Sequence, residues 1–354
     1  MSYEIPAHRH KPIVAALSAV DRAKRVILTT HLNGDGDGAG CEAALLALFL
    51  ELGAQAWIIN PTPFPELFRF LVPDPSRILD VDEPEARRRC SEADLCIVLD
   101  TGEASRIGRV LPLVESVPRL VIDHHPPGPD SLEGISLRDP AAAAAGELVF
   151  DLVQSKGGPW PRPLVEGIYV ALLTDTGSFR HSNVTPGVHR IVAELVEKGA
   201  NPERLYAQVY GQSPLRRFRL LAKTLDTLNV SPDGRMAWMT VPADAFRELG
   251  CNSEDLEGMV DIPRELEGVE VGLLFREVAE GSTKISFRSN GPADVNLLAR
   301  SFGGGGHARA SGALVEKGLD EARTQVLART IEYLEESSRG ATAEGAHLPA
   351  NGEP

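Results

Sequence analysis

Leu120-Val121-Ile122-Asp123-His124-His125 is a β-branched apolar run that stops abruptly at a carboxylate and two imidazoles. Such a run reads as a buried parallel strand whose polar residues emerge at its C-terminal end, where open α/β sheets place their ligands. An Asp-His-His taken alone is more often an ordinary hydrogen-bonded pair. The pattern, however, repeats. Val26-Ile27-Leu28-Thr29-Thr30 leads into His31, with Asp35 and Asp37 close behind, and Leu95-Cys96-Ile97-Val98-Leu99 leads into Asp100. Three strand-like runs therefore deliver metal-type ligands to one edge of one sheet.

The segments between these runs support an α/β fold. Strands are expected at 26–30, 56–60, 77–81, 95–100 and 120–123, separated by helical patterns, which predicts a doubly wound, mostly parallel sheet. Pro61, Pro63 and Pro65 mark a loop that a helix could not cross, and Phe64, Phe68 and Phe70 are expected to pack over the sheet. His31 to Gly38 reads as a loop before a helix over 39–52, its alternating glycines letting the backbone aim Asp35 and Asp37 inward. The alternatives are a solvated Asp-Gly turn, or a calcium loop that lacks the terminal Glu of an EF-hand. Arg106 could bind substrate but is expected in a helix-surface salt bridge. Asp139-Pro140 reads as a helix start with Asp as N-cap, and the alanines that follow read as scaffold. A helix over 162–173, apolar on nearly all sides, carries Asp175 from the core into a polar loop. A buried carboxylate there needs a cation or several donors, unless the loop is simply an Asx turn.

Composition bounds the function. The 354 residues exceed the size at which one core usually keeps growing, so two domains are expected. With 36 basic against 50 acidic residues and a net charge of −14, the chain is a poor match to long nucleic acid, which is bound by neutralising phosphates. Cys41, Cys90, Cys96 and Cys251 show no zinc-finger or Cys-x-x-Cys spacing and read as reduced packing residues. No signal-peptide core and no membrane-length apolar run is visible, which predicts a soluble, cytoplasmic protein.

Residues 186–229 read as successive helices, and Ser231-Pro232-Asp233-Gly234 is the clearest boundary. Beyond it, strands at 236–241, 269–276 and 283–289 announce a smaller α/β domain. Alternation in Lys284-Ile285-Ser286-Phe287-Arg288 puts Ile285 and Phe287 on the core face and Arg288 on the other, which could carry an anion site. In Phe302-Gly303-Gly304-Gly305-Gly306-His307, backbone amides freed of side chains could surround a phosphate; a flexible hinge is the alternative. A helix over 319–334 and a disordered tail end the chain. The expected organisation is thus a catalytic domain at 12–200, a helical connector at 201–230, a second domain at 231–335 and a tail at 336–354.

The ordered set His31-x-x-x-Asp35-x-Asp37, Asp100, Asp123-His124-His125 and Asp175, followed by Gly-Gly-Gly-Gly-His307, resembles the DHH phosphoesterase superfamily with its DHH-associated C-terminal domain. Within it, the chain is most similar to the branch of bifunctional nanoRNases and 3′-phosphoadenosine 5′-phosphate phosphatases. Where relatives commonly have Pro-Asp-Gly-Asp-Ala, this chain has Gly34-Asp35-Gly36-Asp37-Gly38; the ligands are kept. The resemblance implies two divalent cations, with His31 and Asp35 on one, Asp37 and His124 on the other, and Asp100 and Asp175 shared. Mixed carboxylate and imidazole ligands favour manganese over magnesium or structural zinc. Asp123 would orient an imidazole, and His125 would face the phosphate or its leaving oxygen.

In that reading Arg180 and Ser182 hold the scissile phosphate. Arg288, Gly304, Gly305, Gly306 and His307 hold a neighbouring phosphate or the terminal nucleotide, in a cleft suited to short substrates. The expected activity is hydrolysis of short oligoribonucleotides, with 3′-phosphate removal as a second activity; a cyclic-dinucleotide phosphodiesterase and a non-catalytic nucleotide sensor are the alternatives. Small phosphorylated nucleotides are the expected partners, not long duplexes or membranes, and a homodimer is compatible with the reading.

Overall fold

The computed structural model describes residues 3–345 apart from 212 and 257. The chain forms two compact units, residues 1–212 and 213–354.

The first unit is built on strands β1 (Arg25–Thr29), β2 (Gln55–Asn60), β3 (Ile78–Asp80), β4 (Leu95–Leu99), β5 (Arg119–Asp123) and β6 (Ile135–Arg138), in the order β3-β2-β1-β4-β5-β6. All five pairings are parallel. Each strand sends alternate residues to opposite faces. Val26, Leu28, Ile58, Leu99 and Ile122 join a core against helices α1 (His10–Val20) and α2 (Gly36–Glu51), while Ile27, Ile59, Val98 and Val121 join another against α3 (Pro84–Glu92) and the 3-10 stretch Ala104–Leu113. Burial on both faces explains why the strands read as continuous apolar runs rather than alternating ones. Helices α4 (Ala145–Lys156), α5 (Arg162–Asp175), α6 (Pro186–Glu197) and α7 (Pro202–Tyr210) complete the unit. The strand order reverses between β1 and β4, so the crevice beyond their C-terminal ends is where such a sheet takes ligands. Phe64 and Phe68 are buried in the core and Phe70 packs against it, as expected.

Two local expectations are corrected, and one strand is added. The helix after His31 starts at Gly36, so Asp37 lies in its first turn and not in the preceding loop; Asp35 caps it, accepting from Asp37 N and Gly38 N. The Asp139-Pro140 helix start fails: Asp139 Oδ1 accepts from Ala141 N in a single turn, and α4 begins only at Ala145, where Asp37 supplies the capping carboxylate. Strand β6 was hidden in a short segment beside Gly134 that carries only two apolar residues, Ile135 and Leu137.

The second unit opens with α8 (Leu215–Leu225), so the helix expected as a connector belongs to its core through Leu220. Its strands β7 (Asn229–Val230), β8 (Met236–Thr240), β9 (Val271–Ala279), β10 (Ser282–Ser289), β11 (Gly305–His307) and β12 (Ala310–Val315) form a mixed sheet ordered β11-β12-β10-β9-β8-β7. Helices α9 (Ala243–Glu248), α10 (Asp261–Arg264), α11 (Val295–Arg300) and α12 (Leu319–Gly345) cover it. The terminal helix runs past Leu334 to Gly345, since extending a nucleated helix costs far less than starting one. Residues 336–345 of the tail expected at 336–354 are therefore helical, and the rest, 346–354, lies outside the described residues. Among the described residues no helix is long and apolar enough to cross a membrane.

Candidate metal centre

Asp100 follows β4 with a left-handed backbone, φ 56°, a conformation unfavourable for a non-glycine residue that turns its carboxylate back toward neighbouring strand ends. Its Oδ2 lies 3.2 Å from His31 Nε2, at the end of β1, and its Oδ1 lies 3.3 Å from His124 Nε2, at the end of β5. One buried carboxylate thus spans two groups. On the first side Asp35 Oδ2 is 3.7 Å from His31 Nε2; on the second, His124 Nε2 is 3.8 Å from Asp37 Oδ2 and 3.6 Å from Asp175 Oδ2. His31, Asp35 and Asp100 bring one ligand atom each within 4.8 Å of one another, as do Asp37, His124 and Asp175.

Asp37 and Asp175 are brought together by helix packing. Helices α2 and α5 cross backbone to backbone at Gly40 and Gly167, with Ala44 and Ala171 beside them. This glycine and alanine contact, invisible as periodicity, places the first turn of α2 against the last turn of α5. Asp37 in turn accepts from Ala145 N at 2.6 Å and Gly146 N at 2.9 Å, so it caps α4 from a distant helix.

The electrostatics are those of a cation site. Burial pushes Asp37 well above the ordinary carboxylate range, and the negative charges of Asp100 and Asp175 push it further. Asp175 is raised to about 7, by burial and then by Asp100 and Asp35 against the relief of His124. Burial alone would depress His31 and His124, but contacts with Asp100 and the surrounding carboxylates outweigh it and hold each imidazolium to about 10. Asp100 moves the other way: burial opposes its charge, yet His124 and His31 hold it well below the usual range. Asp100 Oδ1 is buried without a hydrogen bond of good geometry. Crowded carboxylates, an unsatisfied carboxylate oxygen and mixed oxygen and nitrogen donors fit divalent cations.

Around this set, Asp123 accepts from His125 Nδ1 at 2.8 Å and from His125 N at 3.0 Å, and Arg138 Nε lies 3.2 Å from its other oxygen. Residues 25–173 match the DHH family, N-terminal domain, and residues 236–336 match the DHHA1 domain. The chain is 32% identical, over 88% of its length and 89% of the relative's, to the bifunctional oligoribonuclease and PAP phosphatase NrnA of Thermus thermophilus. The chain belongs to the DHH family. The Bacillus subtilis protein of the same description is 26% identical over 82% of this chain and 89% of its own length. Among solved structures, an exopolyphosphatase-related protein from Bacteroides fragilis superposes with a TM-score of 0.83 at 29% identity, over 91% of this chain and 96% of that one.

The DHH triplet of this family member is Asp123-His124-His125, and the structure gathers it with His31, Asp35, Asp37, Asp100 and Asp175. Asp175 falls with Asp37 and His124; the sharing of Asp175 between both groups goes beyond that grouping. Arg180 and Ser182 are exposed in the turn after α5, with Arg180 Nε donating to Gly177 O. In the second unit, Arg288 is half-buried, 3.5 Å from Asp261, on the face opposite Ile285 and Phe287. Gly305, Gly306 and His307 form edge strand β11, paired with Gly312, Ser311 and Ala310, rather than an open loop. Gly304 is required because a β-carbon there would stand 2.1 Å from Gly312 O.

Several residues around the centre were not legible in sequence. Arg138 supports Asp123, and Asn183 ties Ala143 O to Asp175 O through its Nδ2. Glu42, buried and pushed up to about 8, receives Asn60 Nδ2, and Asn60 Oδ1 receives Thr30 N beside His31. The alanine loop is more than scaffold: Ala142 O contacts His124 Nδ1 at 3.3 Å. Apart from the bond between Asn183 and Asp175, these contacts join residues too far apart in sequence for local spacing to reveal.

Proposed function

We propose that the chain is a divalent-cation-dependent phosphoesterase that hydrolyses RNA fragments of a few nucleotides to mononucleotides and removes the 3′-phosphate of 3′-phosphoadenosine 5′-phosphate. The observation that carries the reading is the Asp100 carboxylate facing two separate groups of His and Asp ligands. The names of the Thermus thermophilus and Bacillus subtilis relatives supply the substrate class.

His31 and Asp35 would hold one cation, Asp37 and His124 the other, with Asp100 and Asp175 shared; manganese suits this donor set best. When bound, such a pair supplies Lewis acidity toward a phosphoester and lowers the pKa of the attacking water. The side chains do the positioning. Asp123 holds the Nδ1 proton of His125, so that Nε2 is the atom His125 turns to the phosphate or its leaving oxygen. Arg180 and Ser182 would hold the scissile phosphate. Arg288, Gly304, Gly305, Gly306 and His307 would bind a second phosphate or the terminal nucleotide by charge-assisted and backbone donors. The net charge of −14 agrees with a substrate of few phosphates, and in this reading the enzyme works in the cytoplasm.

Incubating the full chain with labelled diribonucleotides and Mn2+ tests this: mononucleotides form, and EDTA stops them. Protein that takes up Mn2+ yet leaves dinucleotides and 3′-phosphoadenosine 5′-phosphate intact would refute it. A competition assay against cyclic dinucleotides separates the alternative phosphodiesterase.

A further inference from the structure

Arg9 lies ahead of residue 25, where the family match begins, yet it is only 3% exposed and makes four hydrogen bonds. Its Nε donates to Asp139 Oδ2 at 2.6 Å; its Nη1 donates to Glu147 Oε1 at 2.6 Å, to Asp151 Oδ2 at 2.9 Å and to Tyr3 Oη at 3.5 Å. The three carboxylates are themselves buried. A guanidinium facing three carboxylates is a costly arrangement to bury, and where such clusters persist their clearest use is to fix one geometry among several.

What it fixes is the loop 139–144 and the start of α4. Asp139 opens the loop and Glu147 lies in the first turn of the helix, so the two branches of one planar fork hold both ends. Glu147 Oε2 also accepts from Ala143 N, and Asp139 Oδ1 from Ala141 N. Between these anchors the loop presents the three backbone groups that touch the centre: Ala142 O against His124 Nδ1, and the N–H groups of Ala145 and Gly146 on Asp37. Ala144, the N-cap residue of α4, makes no side-chain cap bond, so the helix start depends on Glu147, which Arg9 holds, and on Asp37 from α2.

We propose that Arg9 is a positioning residue for the metal centre: through Asp139 and Glu147 it sets the loop that orients His124 and the helix start that holds Asp37. This rests on the cation-binding reading above. Arg9 touches no ligand side chain, and its effect should therefore appear as weaker metal uptake rather than as lost chemistry once metal is bound.

The test is Mn2+ titration of the full-length, metal-stripped chain by calorimetry, alongside the Mn2+ dependence of dinucleotide hydrolysis. Arg9→Lys keeps the charge but cannot bridge Asp139 and Glu147 with one fork. It should bind Mn2+ about 10- to 100-fold more weakly, the usual cost of losing an outer partner of a ligand, with turnover recovered in excess Mn2+. Asp139→Asn, which keeps the side-chain shape, should act in the same direction and serves if Arg9→Lys does not fold. Val110→Ala, buried on the opposite face of the sheet, controls for general destabilisation and should leave Mn2+ affinity unchanged. A folded Arg9→Lys or Asp139→Asn with wild-type Mn2+ affinity, or a Val110→Ala with the same loss, overturns the inference. Wild-type chain that takes up no Mn2+ instead overturns the cation-binding reading, and this inference with it.

Discussion

A β-carbon added at Gly167 would stand 2.4 Å from the carbonyl oxygen of Gly40, and one added at Gly40 would stand 2.5 Å from the carbonyl oxygen of Gly167. The two glycines therefore set how closely α2 and α5 cross, and with it the spacing of Asp37 from Asp175. Alanine is the better helix former by about 0.8–1 kcal/mol, so propensity alone predicts that Gly167→Ala stabilises. Overpacking against a rigid backbone typically costs about 1–3 kcal/mol and should win. Thermal unfolding should show a lower Tm, with weaker Mn2+ uptake alongside; a raised Tm would mean the helices yield at no cost.

Two ligand carboxylates should respond oppositely to neutralisation. Asp175, raised to about 7, is ionised against its neighbours, so Asp175→Asn should raise the Tm of the metal-free protein by a few degrees. Asp100 is held ionised by His31 and His124, so Asp100→Asn should lower it. Both should abolish the Tm increase that Mn2+ gives the wild type, about 2.7 kcal/mol of stabilisation at a hundredfold excess over Kd, and both should lose activity by several orders of magnitude. Equal shifts of one sign in the two metal-free variants would contradict the charge pattern described above.

The same charges set a pH dependence. His31 and His124 are raised to about 10, above the unfolded value of about 6.5, so their stabilisation is complete below about pH 6.5 and fades toward about 10. Asp175 has the same sign between about 4 and about 7, while the lowered Asp100 acts in the acid range, where its contribution is lost as pH falls. Metal-free protein in EDTA should thus lose Tm from pH 6.5 to 8.5. Cations displace protons from these ligands, so the Tm gap between Mn2+-loaded and metal-free protein should widen over that range. A metal-free Tm independent of pH would show that the two imidazoles are not held charged.

How much of this was legible in the sequence depends on whether the partner was local. Val26–Leu28, Leu95–Leu99 and Leu120–Ile122 end in ligands because a parallel sheet buried on both faces leaves only its strand ends polar, and both facts are written along the chain. The Asp139-Pro140 helix start fails for the complementary reason: Asp139 caps only a turn, through Ala141 N, its other oxygen meets Arg9, 130 positions away, and α4 is capped by Asp37, 108 positions from Ala145. The glycines show the same limit. Gly305 and Gly306 lie in a paired edge strand, and Gly304 allows another backbone to approach, neither of which differs in sequence from an open phosphate loop.

Asp123 and Arg138 should be graded, not essential. Asp123 holds His125 and is itself held by Arg138. Asp123→Ala should cost about 10- to 100-fold in activity. Arg138→Ala should cost less, since Asp123 keeps its bonds from His125, but it leaves a buried carboxylate without its cation and should lower the Tm more than an ordinary surface change. Kinetics and thermal unfolding of both variants check the ordering, which an Arg138→Ala more damaging to activity than Asp123→Ala would reverse.

Recognition should separate from chemistry at Arg288 and His307. Both belong to the second compact unit, whereas every proposed metal ligand lies in the first, so neither substitution should change Mn2+ content. Burial pulls the Arg288 guanidinium pKa down, and its nearest carboxylate, Asp261, stands 3.5 Å away, so its charge is only partly committed within the protein. Removing a charge-assisted donor typically costs about 1.5–3 kcal/mol, roughly a 10- to 150-fold change. Arg288→Ala should show that loss in kcat/KM for dinucleotides and 3′-phosphoadenosine 5′-phosphate. Bis-p-nitrophenyl phosphate, a small activated ester that offers no second phosphate or terminal nucleotide to hold, should be cleaved almost as fast as by the wild type. If Arg288→Ala and His307→Ala abolish hydrolysis of both substrates equally while Mn2+ content is unchanged, these residues act on the reacting phosphate itself and the division between the two units fails.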